Sequence, residues 1–228
     1  MIKYIIVTRL ALKWRYQETN LSWNEWLNNS IFLMNNYCRP SLKNQTDQNF
    51  TILSLVDDSV TNYGNILENE IILKVKATNS IKHDIINTIN EYVSNLNDCD
   101  AVILTRLDRD DCLHKNFVNI VKTHLSSGIE QYIDLNDSII YDSINNIAYD
   151  SKKYNNTFVS PFVSTYEKRI NGKIKCYSFI EQHSTVSKFL NGKKIDDLIA
   201  MQVIHQYNLK NKVQGSLIKI NKINFGIL

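Results

Sequence analysis

The sequence predicts an α/β protein: one domain around a mostly parallel central sheet, with helices on both faces and a β-rich C-terminal extension. Three observations predict it. Over residues 1–128, short β-branched runs alternate with amphipathic helical stretches, the order that parallel strands joined by crossover helices require. Two of the apolar runs end in clustered aspartates, where an open α/β sheet places its ligands. With only 2 Pro and 6 Gly in 228 residues, nothing reads as a linker.

The elements follow in order. "KYIIVTRL" (Lys3 to Leu10) is a buried first strand. In "SWNEWLNNSIFLMNNYCRPSLKNQ", Trp23, Trp26, Leu27, Ile31, Leu33 and Met34 recur near helical spacing, and Ser22 with Glu25 forms a capping box. Pro40 marks a break or a second helix start. "NFTILSLVDDS" (Asn49 to Ser59) and "NEIILKVKA" are the second and third strands. Ile81, Ile85, Ile86, Ile89 and Val93 line one face of a helix over Ser80 to Leu96. "DAVILTRL" is a fourth strand, and "HKNFVNIVKTHLSSG" a helix closed by Gly128. Beyond residue 128, "EQYIDLNDSIIYDSINNIAYD", "NTFVSPFVSTYEK" and "IKCYSFIEQHSTVSKFL" read as hairpins added to one edge. "KKIDDLIAMQVIHQYNLKN" reads as a return to helix. Residues 1–128 would be one half of the domain, and 129–228 a smaller half that completes a site.

Composition bounds the function. Hydrophobic residues make up 43% and charged residues 21%, as in a folded globular chain. A net charge of +3 is too small to imply nucleic acid. Cys38, Cys99, Cys112 and Cys176 form no C-x-x-C pair, so free thiols in a reducing compartment are expected. No run of about 18 apolar residues is present, and the N-terminus turns polar at once, which predicts a cytoplasmic protein without a transmembrane segment. The basic run "NLKNKVQGSLIKINK" reads first as a solvated surface, and second as a patch facing phosphate groups or an anionic membrane.

The chemistry concentrates in "AVILTRLDRDDCLHKNF" (101–117), where Asp108, Asp110 and Asp111 follow a buried strand. Crowded carboxylates repel, and burial raises their pKa values. A divalent cation relieves that conflict, and hard Mg²⁺ or Mn²⁺ prefers carboxylate and phosphate oxygens. The simpler alternative is a turn in which Asp110 or Asp111 caps a following helix. The triplet is denser than a cap needs, Arg106 and Arg109 flank it, and Asp57-Asp58 closes another strand.

On these residues the chain resembles the inverting glycosyltransferases of the GT-A fold. "SLKNQTDQNFTILSLVDDS" is similar to their start, and "TRLDRDDCL" resembles the metal-binding stretch of one branch, the rhamnosyltransferase family. "YCRPSLKNQT", "SPFVSTYE" and "MQVIHQYNLKN" fit the same branch, so the likeness runs from residue 4 to about residue 215. Asn28 and Asn29 stand where the family usually has an arginine. The resemblance implies a UDP- or dTDP-linked sugar donor, Mn²⁺ or Mg²⁺, and a glycan or glycolipid acceptor of surface polysaccharide synthesis. It puts Thr8 and Arg9 against the nucleotide, and Asp58 or Asp57 on the base. Asp108 and Asp110 would hold ribose and metal, with Asp111 as a further ligand or a partner of the ligands, and His205 as a metal ligand or a diphosphate donor. Asn208 and Lys210 would close over the phosphates.

Inversion needs a base to take the acceptor proton. Glu167 is the candidate, with Glu181 and Asp197 behind it. Two other classes compete: a non-catalytic nucleotide-sugar-binding module, and a nucleotidyltransferase. The second would need a glycine-rich phosphate loop, and "VTRLALKW" contains no glycine.

Overall fold

The computed structural model describes residues 1–16, 19–76, 78, 80–125, 128–135, 138–151, 160–180, 183–196, 200–206 and 215–227. Its strands, in chain order, are β1 (Ile2–Ala11), β2 (Thr51–Asp57), β3 (Glu70–Val75), β4 (Ala101–Leu107), β5 (Cys112–Leu113) and β6 (Gln131–Leu135). They continue with β7 (Ser138–Asp142), β8 (Ile147–Ser151), β9 (Ser164–Lys168), β10 (Gly192–Ile195), β11 (Ala200–Ile204) and β12 (Ser216–Ile218). The α-helices are α1 (Lys13–Tyr16), α2 (Trp23–Leu33), α3 (Arg39–Lys43), α4 (Ile81–Ser94), α5 (Phe117–His124) and α6 (Tyr177–Ile180). Seven strands form one sheet in the order β10-β6-β9-β4-β1-β2-β3, and five form a second in the order β12-β8-β7-β11-β5.

Alternation of side chains along β1 builds the layers. Tyr4 and Ile6 face one side, with Trp26, Met34 and Leu42 of the α2–α3 region and Phe117 and Val121 of α5. Ile5 and Val7 face the other, with Ile85, Ile89 and Val93 of α4 and Phe179 of α6. The expected helices on both faces are therefore present. The expected capping box is present too: Ser22 Oγ accepts from the Glu25 amide at 3.3 Å, and the Glu25 carboxylate accepts from the Ser22 amide at 2.9 Å. Pro40 does not break the helical run. A π-helical segment, Met34–Cys38, joins α2 to α3, and the proline falls in the first turn of α3, where its missing N–H costs least.

Three expectations are corrected. The architecture is mixed rather than mostly parallel: among the described residues five strand pairings are parallel and five antiparallel. The cause is β9, which enters the large sheet against both β4 and β6 after the β7–β8 hairpin has turned the chain. "KKIDDLIAMQVIHQ" is not helical where described but gives β10 and β11, whose Ala200–Ile204 run is buried on both faces and so carries no period to separate strand from helix. Part of "IKCYSFIEQHSTVSKFL" is helical instead: α6 and a 3₁₀ turn, His183–Lys188.

One buried ion pair pins the helical layer to the sheet. Arg39 Nε and Nη2 donate to the two oxygens of Glu70, both at 2.8 Å. Ser54 Oγ and the Leu67 amide also donate to Glu70, and Arg39 Nη1 donates to Asn35 and to the Tyr63 carbonyl. Removing one partner leaves the other charge buried and unpaired. Arg39→Met should lower unfolding free energy by about 3–5 kcal/mol in urea titration, whereas an exposed control, Lys82→Met, should change it by about 0.5 kcal/mol or less.

Candidate functional site

β1 lies between β2 and β4 and is parallel to both, so all three strands leave the sheet along one edge. Thr8 is level with Leu107 of β4, and Arg9 with Leu55 of β2. The β1–β2 register slips between Arg9 and Ala11, a bulge that twists the strand end where it meets the acidic residues.

Beyond β4 the chain turns sharply, the Asp111 amide donating to the Asp108 carbonyl at 3.1 Å. Each acid in this turn has a different environment. Asp108 is paired with Arg9, whose Nε donates to its Oδ1 at 3.2 Å and whose Nη2 makes a closer contact to the same oxygen. Arg106 Nη2 stands 4.0 Å away. Asp110 Oδ2 is 3.0 Å from His205 Nε2. Asp111 points inward: it is 3% exposed, and its Oδ1 accepts from the Val203 amide at 3.2 Å. Burial, then the charges of Asp110 and Asp108, push its carboxyl well above the usual range.

His205 reaches the turn because β5, its exit, is also an edge strand of the second sheet. β5 pairs antiparallel with β11, Met201 opposite Cys112 and Ala200 opposite Leu113, so the chain runs from β11 to His205 alongside Asp110. On the β2 side, Asp57 accepts from the Ser59 amide and hydroxyl and lies 3.4 Å from Lys13 Nζ. Burial alone would raise its pKa, but Ser59 and Lys13 hold it below the ordinary value. Asp58 is exposed. Thr8 is fully buried beneath the π-helical segment, its hydroxyl 3.9 Å from the Met34 sulfur, so it supports the edge from below rather than lining it.

Sequence reasoning missed an aromatic and cationic wall beside the acids. Trp23 and Trp26 stack at 5.4 Å between ring centroids. Arg109 sits 4.7 Å over Trp26, Lys13 5.5 Å over Trp23, and Arg9 6.0 Å over Trp14. Arg9 and Lys13 of this wall also contact carboxylates, Asp108 and Asp57, so cations and acids interleave along the edge. The W-x-x-W spacing at one end of a helix, and arginines interleaved with the aspartates, were the available signals.

The structure gathers Arg9, Asp57, Asp108, Asp110, Asp111 and His205, but not Glu167. β9 is antiparallel, so its first residues, not its last, lie at the carboxyl edge. Glu167 is opposite Val102, five residues before Leu107 and so roughly 16 Å back along the strand. It is fully buried, accepting from Thr165 Oγ1 at 2.7 Å, the Cys176 amide at 2.6 Å and the Tyr177 amide at 3.0 Å. These contacts correct the expectation that it is the base: it anchors the entry to α6. Glu181, Asp197, Asn208 and Lys210 lie outside the described residues. Among the described residues no three His, Cys, Asp or Glu side chains converge as a ready-made metal cage. Asp110 and His205 fit part of one, Asp108 is turned to Arg9, and Asp111 is committed to Val203.

Fold and site together define an α/β protein with a carboxylate-lined edge, closed by an imidazole from its second sheet. A family model described as "Putative rhamnosyl transferase" matches residues 15–215, and the chain belongs to that family. The family description suggests a glycosyltransferase, with a sugar donor and an acceptor as its partners. No curated protein matches the chain. Among the described residues no helix is long and apolar enough to cross a membrane.

Burial raises the Glu167 carboxyl from 4.5 to about 7, against its three donors. Below pH 4.5 the folded and unfolded chains both hold this proton; between 4.5 and 7 only the folded chain does. Stability contributed by Glu167 should therefore fall as pH rises through that window, by about 3 kcal/mol in all, and level off above it. Urea titrations at stepped pH should show this decline in the wild type and a flatter profile in Glu167→Gln.

Proposed function

We propose that the chain is a metal-dependent glycosyltransferase of GT-A type, which moves a sugar from a nucleoside diphosphate to a glycan or glycolipid acceptor with inversion. Rhamnose is the sugar that the family description points to. One observation carries this reading: Asp57 ends β2 and Asp108 and Asp110 follow β4, the two parallel strands that flank β1, with His205 brought to Asp110 by β5–β11 pairing. That edge is where an open α/β sheet binds nucleotides.

The donor set suits Mn²⁺ or Mg²⁺, which Asp110, His205 and Asp108 would hold. Bound there, the cation would stabilise charge on the departing diphosphate. The chain's own residues determine when it binds. Asp108 can turn to a cation only by releasing Arg9, and Asp110 only by sharing or losing His205. Arg9, once released, remains at the same edge beside Trp14, and its guanidinium matches phosphate oxygens. Asp57 or the exposed Asp58, at the end of β2, would accept a hydrogen bond from the nucleobase. Asp111 holds the turn to β11 rather than serving as a ligand.

Two measurements check this. Mn²⁺ binding, followed by the free-ion electron paramagnetic resonance signal, should be weak with the protein alone. Adding UDP or dTDP should strengthen it about tenfold or more, the scale of 1.4 kcal/mol of coupling. Tight binding without nucleotide would contradict the Arg9–Asp108 exchange. Asp110→Ala should abolish metal-dependent hydrolysis of UDP- or dTDP-sugars, with a melting temperature within about 4 °C of the wild type, because the carboxylate removed is partly exposed and repelled by Asp111. Normal turnover in that variant would remove the metal role.

A further inference from the structure

The turn end of the β7–β8 hairpin carries aliphatic side chains that the fold leaves outside. Ile144 is 66% exposed, Ile147 37% and Leu217 70%. They share one end of the second sheet. β12 runs antiparallel to β8 toward the turn, with Leu217 opposite Tyr149 and Ile218 opposite Ala148, so Lys219 leaves the strand beside Ile147. Ala148 and Ile218 take the inward positions, against a cluster that includes Phe225. Lys222 reaches the turn from the far side, its Nζ donating to Asn146 Oδ1 at 3.3 Å, and exposed Ile223 follows it.

The charge at this tip has one sign. The paired segments 142–150 and 216–225 hold two carboxylates: Asp150, opposite Ser216 at the end of β8–β12 away from the turn, and Asp142 at the turn itself. Asp142 is turned inward, accepting from the Ile144 and Asn145 amides at 3.0 and 3.1 Å and from Asn145 Nδ2 at 2.7 Å, and is 6% exposed. Single exposed aliphatics are ordinary on any surface, but several on one projecting end, flanked by lysines, form a patch.

We propose that this tip, centred on Ile144, Ile147, Leu217, Lys219 and Lys222, docks the protein on an anionic lipid bilayer. Its chemistry distinguishes that partner from others. Protein interfaces are enriched in aromatics, Met and Arg and depleted in Lys, whereas this tip is aliphatic and lysine-flanked. Short aliphatic side chains enter the headgroup–acyl boundary, and lysines stay at the level of lipid phosphates. The turn adjoins the end of β11, the Ser143 amide and hydroxyl both donating to the Ile204 carbonyl at 2.9 Å, so it lies near His205, but the proposal does not rest on the sugar chemistry there.

Co-sedimentation with vesicles tests it. The full chain should bind phosphatidylcholine vesicles containing about one third phosphatidylglycerol, and bind pure phosphatidylcholine far less. Lys219→Glu with Lys222→Glu should weaken binding about tenfold or more, and Ile144→Ser with Leu217→Ser should also weaken it at low salt, both with unchanged circular dichroism. Failure of the wild type to bind, or equal binding by either double variant, overturns the proposal. So does a concentration-dependent dimer in sedimentation velocity that Leu217→Ser abolishes, since the patch would then belong to a second copy.

Discussion

Parallel pairing of β1 with both β2 and β4 is the constraint on which the site depends. It sends three chain ends out of one edge at nearly the same level, and it is fixed by apolar side chains far from any polar chemistry. Ile5 and Val7 on one face, and Tyr4 and Ile6 on the other, tie register to burial. A slip of one residue would exchange the two faces, so packing holds Arg9 beside Asp108 as firmly as their own contact does.

Once those ends are gathered, electrostatics dictates the rest. Acids this close cannot all ionise in a protein interior without compensation. The chain answers each differently: a guanidinium for Asp108, an imidazole for Asp110, a backbone amide for the buried Asp111, and a lysine with a serine for Asp57. Trp26 beneath Arg109, and Trp14 beneath Arg9, orient the cations without neutralising them. The edge is thereby folded and nearly neutral, yet made of groups that could exchange partners with a charged ligand.

Much of this was legible in the sequence. β-branched runs marked the strands of the first half, the Ser22–Glu25 pair marked a helix start, and aspartates after strands marked the edge. The losses have physical causes. β11 is buried on both faces, so it offered no alternation to read. Glu167 was misplaced because "SPFVSTYE" does not reveal strand direction: reversing β9 sends its last residue away from the edge. Trp23 and Trp26 looked like packing residues, which they are, but a linear pattern cannot show that a guanidinium and an ammonium lie over them.

The two-residue strand β5 has a consequence for how the chain can be divided. Cys112 and Leu113 belong at once to the exit of the acidic turn and to the smaller sheet. A truncation that discarded everything after β10 would strip Asp111 of its amide donor and Asp110 of its imidazole, leaving a sequestered carboxyl with no compensating group. The C-terminal segment is thus a structural component of the ligand edge rather than an appendage, and the remaining N-terminal portion would be a poor stand-in for the whole.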